Sequence, residues 1–119
     1  MIPAEALYNY LIDNGYTTGH RVQLFQWMDG EPSDKFIVVQ QSGGLPAEVI
    51  RDATCTVIVI GEQQGDRLAA GNKANEIFEA LRVATVADGA FYFQPDEPQY
   101  FFTEEERPVF QMNVRVLAD

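Results

Sequence analysis

The sequence predicts an α+β fold, with amphipathic helices layered on a β-sheet, and two adjoining stretches carry that prediction. Ala53-Thr54-Cys55-Thr56-Val57-Ile58-Val59-Ile60 is apolar and β-branched nearly throughout. That is strand chemistry, because side chains stiff at χ1 pack well on a pleated surface. From Asp66 to Arg82, apolar residues recur at Ala70, Ala74, Ile77, Phe78 and Leu81. This spacing puts one apolar stripe on one face of a helix. Gly61 to Gly65 joins the two, and Asp66 is placed to cap the helix by accepting an orphan N–H. A strand flowing into an amphipathic helix forms one layer pair of a two-layer core.

In chain order, the first helix is predicted over Pro3–Asn14. Pro3 suits the first turn, where its missing N–H costs nothing. Ala6, Leu7, Tyr10 and Leu11 make the apolar stripe, and Gly15 supplies a left-handed stop. Tyr16–His20 is a loop. Arg21–Met28 reads as a strand, with Val22, Leu24 and Gln26 on one side and Phe25 and Trp27 on the other. Asp29–Asp34 is a turn cluster. Lys35–Gln41 is a second strand, apolar enough at its centre to be covered on both faces. Ser42-Gly43-Gly44-Leu45-Pro46 breaks it, and Ala47–Asp52 leads into the strand at Ala53–Ile60, which pairs antiparallel with Lys35–Gln41. A loop of this length in a small domain is more often functional than idle.

Beyond the second helix, Asp88-Gly89 is a turn and Ala90–Phe93 a short strand ended by Pro95. Gln99–Thr103 continues as another strand, and Glu104-Glu105-Glu106-Arg107 is a charged turn. In Pro108–Leu117, Val109, Gln111, Asn113 and Arg115 alternate with Phe110, Met112, Val114 and Val116, giving one wet and one covered face. With no internal repeat or linker, residues 1–119 read as a single domain.

Composition narrows the function classes. The chain is 46% hydrophobic and 22% charged, an ordinary globular balance. Its formal net charge is -10, from 8 Lys+Arg against 18 Asp+Glu, and the basic residues stand apart along the chain. No basic stripe exists to neutralise phosphates, so tight nucleic-acid binding is not expected, and an anionic membrane surface would repel the chain. No apolar run is long enough to span a bilayer and no signal peptide is read. A single cysteine, Cys55, excludes an internal disulfide and suits a reducing compartment, so a cytoplasmic location is expected.

The search for chemistry returns little. His20 is the sole histidine, and Cys55 lies in an apolar strand where a thiol is usually buried and inert. One Cys and one His do not make a common zinc site. Asp96-Glu97 and Glu104-Glu105-Glu106 are the densest acids; they read first as solvated turns and second as a small-ligand or hard-metal site, without EF-hand spacing. An acidic DNA mimic is a third reading, but it calls for acids spread over a whole face. Gly43-Gly44 and Gly61…Gly65 match no phosphate-binding motif and read as turn residues. Phe91, Tyr92, Phe93, Tyr100, Phe101 and Phe102 are more aromatics than one short strand pair buries on one face. Those left over, with Trp27, are candidate anchors of a protein–protein interface.

The order of elements, the Phe36-Ile37-Val38-Val39-Gln40-Gln41-Ser42-Gly43-Gly44 stretch and the closing Arg107-Pro108-Val109-Phe110-Gln111-Met112-Asn113-Val114-Arg115-Val116 strand resemble the small tail terminator and tail-completion proteins of long-tailed phages, including the lambda type. The resemblance covers most of the chain. It implies a mixed, mainly antiparallel sheet with two helices packed on it, and no enzymatic activity or cofactor. It also implies a self-assembled ring, usually a hexamer, seated on the tail tube protein. Such a ring ends tube polymerisation and offers a surface to head–tail connector proteins; the chain's own acidity, with the Glu104–Glu106 turn, suits a lumen that lets DNA pass without tight binding. The implied location is the virion tail, assembled in the host cytoplasm. Another head–tail joining protein of similar fold is the nearest alternative. On the residues alone, the expected contacts are Trp27, Gly43, Gly44, Leu45, Arg51, Tyr100, Phe101, Glu104, Glu105, Glu106 and Arg107.

Overall fold

The computed structural model describes residues 2–45, 51–83, 91–102 and 106–118. They form α1 (Pro3–Asp13), β1 (Arg21–Leu24), β2 (Phe36–Leu45), β3 (Arg51–Ile60), α2 (Arg67–Val83), β4 (Phe91–Pro95), β5 (Gln99–Phe102) and β6 (Pro108–Ala118). The six strands make one sheet in the order β1-β2-β3-β6-β4, with β5 also on β6. Only β1 and β2 run parallel; the other pairs are antiparallel. The fold is therefore α+β with a mixed, mainly antiparallel sheet and two helices.

Both helices cover the same face. Leu7 and Leu11 of α1 and Ala74, Ile77, Phe78 and Leu81 of α2 pack on Ile37, Val39, Cys55, Val57, Val59, Met112, Val114 and Val116. Every residue of the stripe predicted for α2 is buried, and Asp66 caps that helix, its Oδ1 accepting the Leu68 N–H at 2.9 Å. Gly71 explains a glycine in mid-helix: a Cβ there would sit 3.0 Å from Phe110 Cζ, so its absence lets α2 lie close to β6.

Among the described residues, the opposite face is covered over one end only. Phe36, Val38, Ile60 and Val109 form a small cluster beneath Trp27, with the Trp27 and Phe36 rings 5.9 Å apart, edge to face. Toward the other end this face turns polar: Thr54, Asn113 and Arg115 are exposed. Phe36, Ile37, Val38 and Val39 are all fully buried, as expected of a strand covered on both faces.

Three stretches differ from the sequence expectation. β1 stops at Leu24 instead of reaching Met28, because Phe25 adopts a left-handed backbone with φ 74. Its N–H donates to the Val39 carbonyl at 2.7 Å and its carbonyl accepts from Gln40 Nε2 at 3.1 Å, so β2 holds the turn from both sides. β2 does not break at Ser42: it shifts register between Gln41 and Gly43 and continues, with Gly43, Gly44 and Leu45 opposite Thr54, Ala53 and Asp52. Glycines read as a break are here a bulge, and β3 begins at Arg51. Last, β4 and β5 are one edge. Pro95 lies opposite Val114 and Gln99 opposite Gln111, so the edge advances four residues while β6 advances three. The Asp96 N–H donates to the Asn113 carbonyl at 2.8 Å inside that bulge. The rest of the predicted loop after Leu45, the Asp88-Gly89 turn, Ala90 and Thr103 lie outside the described residues.

Candidate assembly surfaces

The expected contact residues fall into three places. Tyr100 and Phe101 lie on the β5 edge. The Tyr100 ring lies 5.0 Å from that of Phe110, tilted against it, on the helix face and is 38% exposed; Phe101 lies opposite Val109 on the other face and is 48% exposed. Of the remaining aromatics described, Phe93 is core, edge to face with Tyr10 at 5.3 Å. Gly43, Gly44, Leu45 and Arg51 share the far end of the β2–β3 hairpin, where the backbone of Arg51 is opposite Ala118. Trp27 is half-buried over Phe36, and its indole N–H has no hydrogen-bond partner among the described residues.

Glu106 and Arg107 sit at the opposite end of the sheet, and Glu104 and Glu105 lie outside the described residues. Glu106 is exposed with φ 58; its carbonyl accepts the Gln64 N–H at 3.2 Å and its carboxylate the Gln64 side chain at 3.1 Å. Arg107 corrects the expectation of a solvated charge, because it is fully buried. Its Nη1 donates to the carbonyls of Asp34 (2.7 Å) and Gly61 (2.9 Å), and its Nη2 to that of Glu31 (2.8 Å). Asp29 lies 3.2 Å from Nη2 and the Phe36 ring lies 5.3 Å beneath the guanidinium. Arg107 thus ties the β1–β2 connection to the end of β3 instead of facing a partner.

These ties gather carboxylates at one end of the molecule. Asp29, Glu31 and Asp34 sit in the β1–β2 connection, Glu62 and Asp66 between β3 and α2, and Glu106 before β6. Arg21, 3.4 Å from Asp34, is an exposed counter-charge there. A cleft of about 270 Å³ nearby is lined by His20, Lys35, Lys73, Glu62 and Asp66 among others, a mixed-charge lining. Burial lowers the His20 pKa from its ordinary value. Cys55 is buried and desolvation pushes its thiol up to about 11, which leaves it protonated and unreactive at neutral pH. Among the described residues no three His, Cys, Asp or Glu side chains are grouped to hold a metal, and Asp96 and Glu97 point to solvent. No helix of the described residues is long and apolar enough to cross a membrane.

Sequence reasoning missed Phe25 and Met28, which are 48% and 66% exposed beside the β1 edge. Their signal is an apolar pair running into Asp29-Gly30-Glu31-Pro32, a turn that carries strand-like residues out of the sheet. A protein-family model described as phage tail termination protein matches residues 1–119. No curated protein matches the chain.

Proposed function

This chain belongs to the phage tail termination protein family, and we propose that it acts as a single domain whose copies close into a ring, expected to be a hexamer, on the end of the tail tube. The ring ends tube polymerisation and gives the head connector a surface to join. The family is structural, not catalytic, so the work is done by binding free energy between subunits and neighbours. The match across residues 1–119 carries this reading.

Charge supports a further detail of it. With a net charge of -10 on each copy, like charge lets DNA pass the lumen without adhering. The protein is assembled in the host cytoplasm and retained in the virion tail.

The test is light scattering and negative-stain imaging of the purified chain, alone and mixed with purified tail tubes. Rings in solution or caps on tube ends are the expected result. A chain that is monomeric in solution and leaves tube ends bare overturns the reading.

A further inference from the structure

Resting on that ring reading, we propose that neighbouring copies join edge to edge: β1 of one copy pairs antiparallel with β5 of the next, with Val22 opposite Tyr100, and the sheet runs on from subunit to subunit. The two end strands are each four residues long, and each has one strand neighbour among the described residues, β2 for β1 and β6 for β5. They also stand at the same level. Successive pairings place Val22, Ile37, Val59, Phe110 and Tyr100 in one row, and Arg21, Phe36, Ile60, Val109 and Phe101 in the next. Since β1 and β5 run in opposite directions, copies set side by side without a flip bring them together antiparallel.

The backbone phase matches. Arg21 and Phe25 donate their N–H groups to Lys35 and Val39 of the β2 side, so by alternation Val22 and Leu24 turn theirs outward. On β6, Pro108 accepts from Gly61 next to β3, and Asn113 accepts from Asp96 on the β4–β5 side. Val109 therefore faces β5 and pairs with Phe101, which turns the peptide groups of Tyr100 away from β6. Val22 and Tyr100 meet as a hydrogen-bonded pair.

Each row is also chemically matched. Val22 with Tyr100 is a β-branched residue against an aromatic, a favourable cross-strand pair. Arg21, its side chain 63% exposed, comes over Phe101, a cation on an aromatic face. Gln23 meets Gln99. Charge is complementary at the corner, where Arg21 and Lys35 flank the start of β1 and the exposed Glu106 follows β5. The occupant is thus a second copy of this chain in a heterologous contact, one edge against the other, which is the kind of contact that closes rings.

The test is a double variant, Arg21→Cys with Phe101→Cys. These residues form a non-hydrogen-bonded pair, whose Cα separation of roughly 4.5 Å permits a disulfide. Under mild oxidation, with or without tail tubes, the double variant is expected to give a ladder of cross-linked species, while each single variant stays uncross-linked. A second arm uses Tyr100→Lys, with circular dichroism confirming the fold. A lysine on an edge strand blocks pairing, so self-association is expected to weaken about tenfold or more. If the unmodified chain forms rings but the double variant does not cross-link, the edge pairing is overturned while the ring reading stands. Cross-linking of either single variant to the same extent also overturns it, in favour of like edges meeting. A chain that forms no assembly in solution or on tubes overturns both.

Discussion

Replacing Arg107 by Ala leaves the carbonyls of Glu31, Asp34 and Gly61 without their donors in a buried place. Each hydrogen bond from the charged guanidinium is worth about 1.5–3 kcal/mol, partly offset because the variant no longer buries that charge. The expected loss is on the order of 3 kcal/mol, read as a lower urea midpoint at unchanged slope. Arg107→Lys is expected to recover less than half of it, since one ammonium does not reproduce a planar fork over Phe36. Phe25 tests the backbone at the same scale. At φ 74, Asn is tolerated and a β-branched residue is not. Phe25→Asn should therefore be more stable than Phe25→Val by about 1 kcal/mol in the same denaturation. Cys55 sets an alkaline limit. Its folded pKa is raised from 9.0 to about 11 by burial, so the folded state holds the thiol proton after the unfolded chain has released it. This contribution is complete below pH 9 and is lost as pH rises from 9 through 11. Cys55→Ala should flatten that part of the stability profile.

At the scale of elements, Asp66→Ala removes the cap on the Leu68 N–H and should cost about 1 kcal/mol, seen as a lower melting temperature with the helical signal otherwise intact. This cap, the α2 stripe and the β2–β3 pairing were legible in the sequence because each is set by local spacing or by a contrast between apolar runs and turns. What was not legible depended on contacts distant in sequence. Gly43-Gly44 reads as a break, yet β3 offers Thr54 and Ala53 as partners and absorbs the irregularity as a bulge. Arg107 sits after three glutamates and reads as solvated; only the folding of the β1–β2 connection over Phe36 encloses it. Tyr100 and Phe101 were legible as surplus aromatics. The edge proposed to meet them, at Arg21–Leu24, was not, because that stretch read as part of a longer strand that Phe25 in fact ends.

For the whole molecule, net charge and local contacts pull assembly in opposite directions, and magnitudes decide between them. Each copy carries -10, and the shorter dimensions of 23 × 22 Å set the approach of neighbours side by side. Two such charges at a separation of roughly 25 Å in water repel by roughly 17 kcal/mol before screening. With a Debye length near 30 Å at 0.01 M salt, several kcal/mol of that survive; with one near 8 Å at 0.15 M, less than about 1 kcal/mol does. The attractive pairs at the proposed contact, Arg21 and Lys35 toward Glu106, are exposed, and such pairs are worth about 0–1 kcal/mol each. Repulsion is therefore the larger salt-dependent effect, and the apolar and backbone pairing that opposes it is almost indifferent to salt. At fixed protein concentration, the assembled fraction measured by light scattering should rise between 0.01 and 0.15 M salt. A fall over that range would mean that paired charges, not the Val22–Tyr100 ladder, hold the copies together.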